Sequence, residues 1–369
     1  MTRNPQVSFL NLVSAYKDCE SDIDAALKRV ASSGWYLMGG ELASFEAAYA
    51  EFCGARHCVG LGNGLDALHL SLRALGVGVG DEVIVPSNTY IATWLAVSQC
   101  GAQVVPVEPV AGTYNLDPEL VAASITPRTK VILPVHLYGQ PADMDPIAAL
   151  AHQHGLKVLD DCAQAHAARY KGRLVGTLAD LSAWSFYPGK NLGAFGDAGA
   201  VTCDDATLSE RVRVLGNYGS RIKYHNEVKG FNSRLDELQA AVLAVKLTRL
   251  HHATERRRSI AARYLSGMQG LPLVLPFVPS FAEPAWHLFV VRHADRDSLQ
   301  KRLMDRGVST LIHNPVPPHL QLAYAELGWK NGQFPIAEAI HKDVLSLPMW
   351  PGMEDAAVDH VIDAVRACA

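Results

Sequence analysis

Lys157-Val158-Leu159-Asp160-Asp161-Cys162-Ala163-Gln164-Ala165-His166 is the stretch whose reading decides the fold. A short apolar run ends at two carboxylates and passes into a loop of small residues. Upstream lie a helical pattern, Met144 to His154, and another apolar run, Lys130-Val131-Ile132-Leu133-Pro134-Val135. The alternation recurs further back, with Glu82-Val83-Ile84-Val85-Pro86 and Val104-Val105-Pro106-Val107 as strands and Asp66 to Leu75 as a helix. Most of these runs are continuously apolar, so both faces of each strand are covered, as in a parallel or mixed sheet flanked by helices. The β-α-β-α order makes the chain α/β. Sites in such sheets lie at strand exits, where Asp160 and Asp161 fall. Asp160 reads most simply as a strand terminus and helix cap.

The segment Ala183-Trp184-Ser185-Phe186-Tyr187-Pro188-Gly189-Lys190-Asn191-Leu192-Gly193 sets a lysine after a β-rich run and a Pro-Gly turn. Partial desolvation there disfavours the charged amine and makes it a better nucleophile, able to form an imine with an aldehyde cofactor. By itself the segment also reads as a glycine-rich loop with a surface lysine. Asp161 shifts that balance. A strand-end carboxylate suits pyridoxal chemistry, where it accepts a hydrogen bond from the pyridine nitrogen and keeps it protonated, so that the ring takes up electrons. A third segment, Gly60-Leu61-Gly62-Asn63-Gly64-Leu65-Asp66-Ala67-Leu68, follows a strand-like run and opens a helix. Its N–H groups and the helix dipole suit a phosphate. Glycine turns before helices are common, and this one matches neither the dinucleotide fingerprint nor the Walker pattern.

Asp236 opens a helical pattern in which Leu235, Leu238, Val242 and Val245 share a face. Arg256-Arg257-Arg258 reads as a solvated helix face. Gly270 to Pro279 reads as a connector, followed by a strand, Leu288 to Arg292, and a helix near Ser298 to Arg306. We therefore expect a large domain over 1–245 and a smaller α+β domain over 246–369.

The 369 residues are 49% hydrophobic and 19% charged, which excludes a disordered chain. The net charge of −4, without a basic block, argues against a nucleic-acid partner. No apolar stretch reaches the roughly 20 residues of a membrane span, and Met1 to Ser14 lacks the pattern of a signal peptide, so a cytoplasmic location is expected. Seven scattered cysteines without a Cys-x-x-Cys pair signal neither disulfides nor a zinc site, and Cys162 reads as a small buried filler.

With these segments assembled, the chain resembles the DegT/DnrJ/StrS family of sugar aminotransferases, of the aspartate-aminotransferase fold type. The resemblance spans nearly the whole chain. It rests also on Gly34-Trp35-Tyr36-Leu37-Met38-Gly39-Gly40-Glu41, Gly80-Asp81-Glu82-Val83-Ile84-Val85-Pro86-Ser87-Asn88-Thr89-Tyr90 and Val135-His136-Leu137-Tyr138-Gly139-Gln140. The rest is carried by Gly230-Phe231-Asn232-Ser233-Arg234-Leu235-Asp236-Glu237-Leu238-Gln239-Ala240-Ala241, Phe334-Pro335-Ile336-Ala337-Glu338 and Leu345-Ser346-Leu347-Pro348-Met349. It implies a three-layer fold with a mixed, mostly parallel sheet and the cofactor pyridoxal 5'-phosphate, alternating with pyridoxamine phosphate.

Residue by residue, the resemblance implies that Lys190 is the Schiff-base lysine and proton shuttle and that Asp161 pairs with the pyridine nitrogen. It places Gln164 near the ring hydroxyl and Tyr90 stacked on the ring. It gives the phosphate to Ser185 and the backbone amides around Gly64, Leu65 and Asp66, with Asn232 arriving from the neighbouring subunit of a homodimer. The turn Gly62 to Leu68 departs from the commoner family form, a small residue followed by Gly-Thr. With Asn88 to Trp94, Lys223 to Lys229 and His319-Leu320-Gln321, it is most similar to enzymes that aminate carbon 3 of a dTDP-3-keto-6-deoxyhexose with L-glutamate as donor. A pyrophosphate-bearing acceptor needs cations at the mouth, for which Arg221, Lys223 and Tyr224 are the candidates, with Trp35 and Tyr36 nearby. His313 and His319 fit the mouth or a structural role; His136 and His166 read as packing or hydrogen-bonding residues. Competing readings are a sugar dehydratase of the same fold, which carries histidine where Lys190 stands, a regulator that has lost the chemistry, and amination at carbon 4 or of a cyclitol.

Overall fold

The alternating pattern builds a seven-stranded sheet in the computed structural model, which describes residues 6–369. Residues 1–5, which the N-terminal reading and the 1–245 division include, lie outside the described residues. The strands are β1 (His57–Leu61), β2 (Glu82–Pro86), β3 (Gln103–Val107), β4 (Thr129–Ile132), β5 (Lys157–Asp161), β6 (Leu181–Ser185) and β7 (Gly199–Cys203). Across the sheet they run in the order β1-β7-β6-β5-β4-β2-β3. Only β7 runs against its neighbours; the rest pair in parallel.

Both faces are covered, as the continuous apolar runs require. Val83 and Val85 enter one core with Val131 and Leu159, while Ile84 enters another with Ile132 and Val158. That split follows from the two-residue repeat of a strand. Each fully buried aliphatic side chain contributes ~1.5–3 kcal/mol, so the tight double burial dominates the stability of this layer. The run Lys130 to Val135 is cut short as a ladder at Ile132, because Pro134 has no N–H to donate. Pairing continues irregularly through Leu133 N to Ile84 O and a bridge from Val135 to Asp161.

The helices used below are α1 (Glu20–Ser33), α2 (Gly40–Cys53), α3 (Gly64–Ala74), α4 (Ile91–Gln99), α5 (Met144–His154), α6 (Glu237–Leu247), α7 (Leu250–Gly267), α8 (Pro335–Asp343) and α9 (Asp355–Cys368). Helix α5 matches its expected bounds and ends where Gly155 adopts φ 66°, a turn that glycine enters without strain. Past the sheet, an exposed hairpin pairs β8 (Ser220–Ile222) with β9 (His225–Asn226), and β10 (Phe289–Arg292) pairs antiparallel with β11 (Val344–Leu347). The helix expected near Ser298 to Arg306 spans Arg296–Asp305. A separate core gathers Ile260, Tyr264, Phe289, Leu299, Leu345 and Val361, and Val7 joins it through a bridge to Val308.

Two readings of charge are corrected. The Arg256-Arg257-Arg258 run is not a solvated face. Arg257 is 4% exposed and donates to the carbonyls of Trp286 and Met349 at 3.1 and 3.2 Å, and burial pushes it down to about 10. Arg256 and Arg258 pair with Asp355 and Glu255. Helix α7 carries Arg257 on its buried face with Thr254, Ile260, Ala261 and Tyr264, and a charge run does not reveal which of its members turns inward. Asp160 caps no helix. Its side chain is fully buried and meets His136 Nε2 at 3.1 Å.

Candidate active site

Four parallel strands deliver the site residues at their carboxyl ends, the edge where open α/β sheets bind ligands. Strand β5 ends in Asp161, which is 7% exposed. Its Oδ1 accepts from Ala163 N at 3.1 Å and its Oδ2 from Thr93 Oγ1 at 3.0 Å. Burial raises its pKa, and the Ala163 N–H, the charge of Lys190 and the Thr93 hydroxyl pull it back. Below it, the Ala142 N–H donates to His136 Nδ1, so His136 Nε2 carries the proton that faces Asp160. His136, Asp160 and Cys162 hold ligand-capable atoms within 4.8 Å of one another, but both His136 nitrogens are already engaged.

Strand β6 leads into a turn closed by Lys190 N donating to Tyr187 O at 2.8 Å. Lys190 lines a cavity of about 390 Å³, shared with Leu10, Asn191, Arg257 and Trp350. Burial lowers the amine to about 8, opposed only by the charge of Asp161, and no hydrogen bond contributes to the shift. Lys246, the other half-buried lysine lining this cavity, differs in that its Nζ donates to Gly193 O.

Strand β1 ends below α3. Asn63 caps that helix by accepting from Asp66 N at 2.8 Å, which leaves the Gly64 and Leu65 N–H groups at the open first turn. The Asp66 amide is engaged by that cap, and its carboxylate accepts from Ser233 Oγ at 2.6 Å. A Cβ on Gly64 would stand 2.6 Å from Ser185 Cβ, so only glycine admits Ser185 against the helix start. A lysine amine without a hydrogen-bonded partner among the described residues, a buried carboxylate and a side-chain-free cradle at a helix N-terminus fit pyridoxal phosphate in its three demands: aldehyde, ring nitrogen and phosphate.

Around this centre, Gln164 accepts from Tyr138 N at 2.6 Å. Tyr90, 57% exposed, precedes α4 one turn before Thr93. Trp35 and Tyr36 are exposed on a loop tied to α6, where the Glu237 carboxylate accepts from the N–H groups of Gly39, Glu41 and Leu42. Asn232 lies exposed beside Ser233. On the hairpin, Arg221 is engaged by Glu210 and Glu227, and Lys223 lies over the Tyr224 ring. His313 bonds Ser346 Oγ at 2.8 Å and is held near 4 by burial and the charge of Lys190. His319 is 2% exposed and bonds Glu338 of α8 at 3.0 Å. The sequence reading missed Thr93, Ser233 and His287, the last bonded to Asn191 Oδ1 at 3.3 Å. It also passed over Tyr187, 58% exposed in the Lys190 turn, whose place three residues before the lysine was a visible signal.

Fold and site together define an aminotransferase that depends on pyridoxal phosphate. Residues 17–366 match the DegT/DnrJ/EryC1/StrS aminotransferase family, and the chain belongs to that family. It is 55% identical to the erythromycin biosynthesis sensory transduction protein EryC1 of Saccharopolyspora erythraea, over 98% of this chain and 100% of the relative. It is 54% identical to the dTDP-3-amino-3,4,6-trideoxy-alpha-D-glucose transaminase of Streptomyces venezuelae, over 99% and 97%. The crystal structure of S. venezuelae DesV with a ketimine intermediate superposes with a TM-score of 0.97, at 54% identity and 98% coverage of both chains.

Proposed function

We propose that the chain moves an amino group from L-glutamate to the C3 ketone of a dTDP-3-keto-6-deoxyhexose, giving a dTDP-3-amino-3,6-dideoxyhexose, with Lys190 as the amine that carries the cofactor. The observation that carries the reading is a lysine held in a strand-exit turn and coupled by charge to the buried strand-end carboxylate of Asp161, with burial lowering its amine to about 8. The name of the Streptomyces relative, which sets the amine at carbon 3 of a dTDP sugar, supports the acceptor. The regulatory role in the name of the Saccharopolyspora relative would dispense with Lys190 and Asp161, and both are in place.

When bound, pyridoxal phosphate supplies an aldehyde that captures amines and a ring that takes up electrons from the carbon being activated. Asp161 would hold the pyridine nitrogen, Gln164 the ring hydroxyl, and Tyr90 one ring face. The Gly64 and Leu65 amides and the Ser185 hydroxyl would hold the phosphate. Lys190 Nζ would take the proton from the α-carbon of glutamate as a base and deliver it as an acid to the carbon that had been the aldehyde, within the same half-reaction. A group near 8 suits both roles at neutral pH. In the second half-reaction the same amine moves the proton in the opposite direction, and the amino group passes to the sugar.

The acceptor's pyrophosphate would meet Arg221, Lys223 and Tyr224 on the hairpin, with Trp35, Tyr36 and His313 towards the sugar. The working unit in this reading is a homodimer, in which Asn232 of one copy completes the phosphate site of the other. Tyr218, Tyr224 and Phe231, which are exposed in the single chain, support that assembly. No described helix is long and apolar enough to cross a membrane, and we place the enzyme in the cytoplasm. We also divide it into a cofactor-binding unit, 1–245, and a smaller unit, 246–369, with the segment at Val7 packed on the latter.

The visible absorbance of the cofactor-loaded protein tests the reading. L-Glutamate should bleach the band, and a dTDP-3-keto-6-deoxyhexose should restore it while the 4-keto isomer does not. Restoration by the 4-keto sugar alone would move the reaction to carbon 4.

A further inference from the structure

Behind the strand ends sits a buried histidine that the mechanism leaves unused. His166 is fully buried between Trp184, at 5.1 Å and 28° from coplanar, and Phe186, at 5.5 Å and 26°. Its Nε2 lies 2.9 Å from the Ser185 carbonyl oxygen and its Nδ1 2.9 Å from the Tyr49 hydroxyl. A carbonyl can only accept, so Nε2 carries the proton, and Nδ1 accepts from Tyr49. Burial pushes His166 down to about 3 and Tyr49 well above its ordinary value, so the pair stays neutral.

The register of the sheet explains why Ser185 needs this partner. Asp161, the last residue of β5, pairs with Ala183, and Cys162 N donates to Ala183 O. Two residues on, the Ser185 carbonyl faces the same side, but β5 has already ended. The opposite edge is occupied, with Phe186 N donating to Ala198 O. The imidazole N–H of His166 therefore stands in for the missing strand. Its position matters because Ser185 packs against Gly64 with no room to spare: a Cβ there would lie 2.6 Å from Ser185 Cβ. A small rotation of the Ser185 peptide would carry its hydroxyl away from the helix start.

We propose that His166, oriented by Tyr49, is a positioning residue for the phosphate cup, fixing the Ser185 peptide so that the Ser185 hydroxyl and the Gly64 amide face one phosphate. The inference rests on the reading of Gly64, Leu65 and Ser185 as that cup. It also links two sides of the cofactor site, because His166 follows Asp161 and Gln164 in one loop.

The test compares dissociation constants of pyridoxal phosphate and of pyridoxal, which lacks the phosphate, on apoprotein prepared from the holoenzyme. Their ratio isolates what the phosphate contributes, since the imine and the ring contacts are common to both. His166→Phe should reduce the phosphate advantage about ten-fold, and Tyr49→Phe about three-fold, by loosening one hydrogen-bonded peptide. His166→Gln, whose amide N–H still reaches a carbonyl, should keep most of it. A histidine that only supports the core would lower the melting temperature and leave the ratio at the wild-type value. That result in Tyr49→Phe, the milder variant, and in any folded His166→Phe protein overturns the proposal. Ser185→Ala is the control: an unchanged ratio there would remove the cup reading, and the inference with it.

Discussion

At position 190 the chemistry turns on one proton. A free lysine titrates near ~10.4, and burial brings Lys190 to about 8. Between those values the unfolded chain holds the proton and the folded one has lost it, so this amine's contribution to apoprotein stability grows as pH rises through the window and is lost as pH falls towards 8, opposed by the thiols that burial keeps protonated in the fold. Between pH 8 and pH 10, denaturant unfolding should show the wild type gaining stability relative to Lys190→Met; an unchanged difference between the two would place the amine in water. Lys190→Ala should lower amino transfer by at least about a thousand-fold, measured as product formed per enzyme, because it removes the group placed to act as both base and acid. Lys190 and Asp161 could be singled out in the sequence because each stands at a strand exit marked by its own apolar run. Thr93 could not, since its contact with Asp161 spans 68 positions and an ordinary helix residue gives no sign of it. The same holds for Ser233, which reaches Asp66 across 167 positions.

Among the elements, helix starts bring distant parts of the site together. The Glu237 carboxylate is 3% exposed and satisfies three N–H groups at the start of α2, which fixes the loop bearing Trp35 and Tyr36. Glu237→Ala leaves those donors unpaired and should destabilise the protein by roughly 3 kcal/mol, while Glu237→Gln should cost roughly 1 kcal/mol, read from urea unfolding. A loss below ~0.5 kcal/mol for Glu237→Ala would mean that the loop holds itself. Glu108 plays a like part at α8, accepting from Ile336 N and Ala337 N at 2.9 Å. The elements themselves were legible: α5 and the strands around it follow from apolar runs and a terminal glycine. The capping carboxylates were not, because their partners arrive from other parts of the chain. Arg257 shows the same limit, since a charge run on a helix looks alike whether its middle member meets water or three carbonyls.

For the whole molecule, the family was legible because its segments keep their order along nearly all 369 residues. What packs on what was less so: Val7 joins a core made from residues beyond 260, a contact no local pattern announces. The shared site proposed for the dimer has its own test. In a mixture of Lys190→Ala and Asn232→Ala chains, exchanged to equilibrium, each mixed dimer holds one intact site, so about a quarter of wild-type activity should return. No gain over the separate variants would mean that Asn232 serves its own chain. The central claim, that Lys190 alone carries the cofactor, is tested most directly by borohydride reduction of the cofactor-loaded protein followed by peptide mass mapping. The account predicts a single pyridoxyl group on Lys190; a label on another lysine, such as the neighbouring Lys246, or no label at all would contradict it.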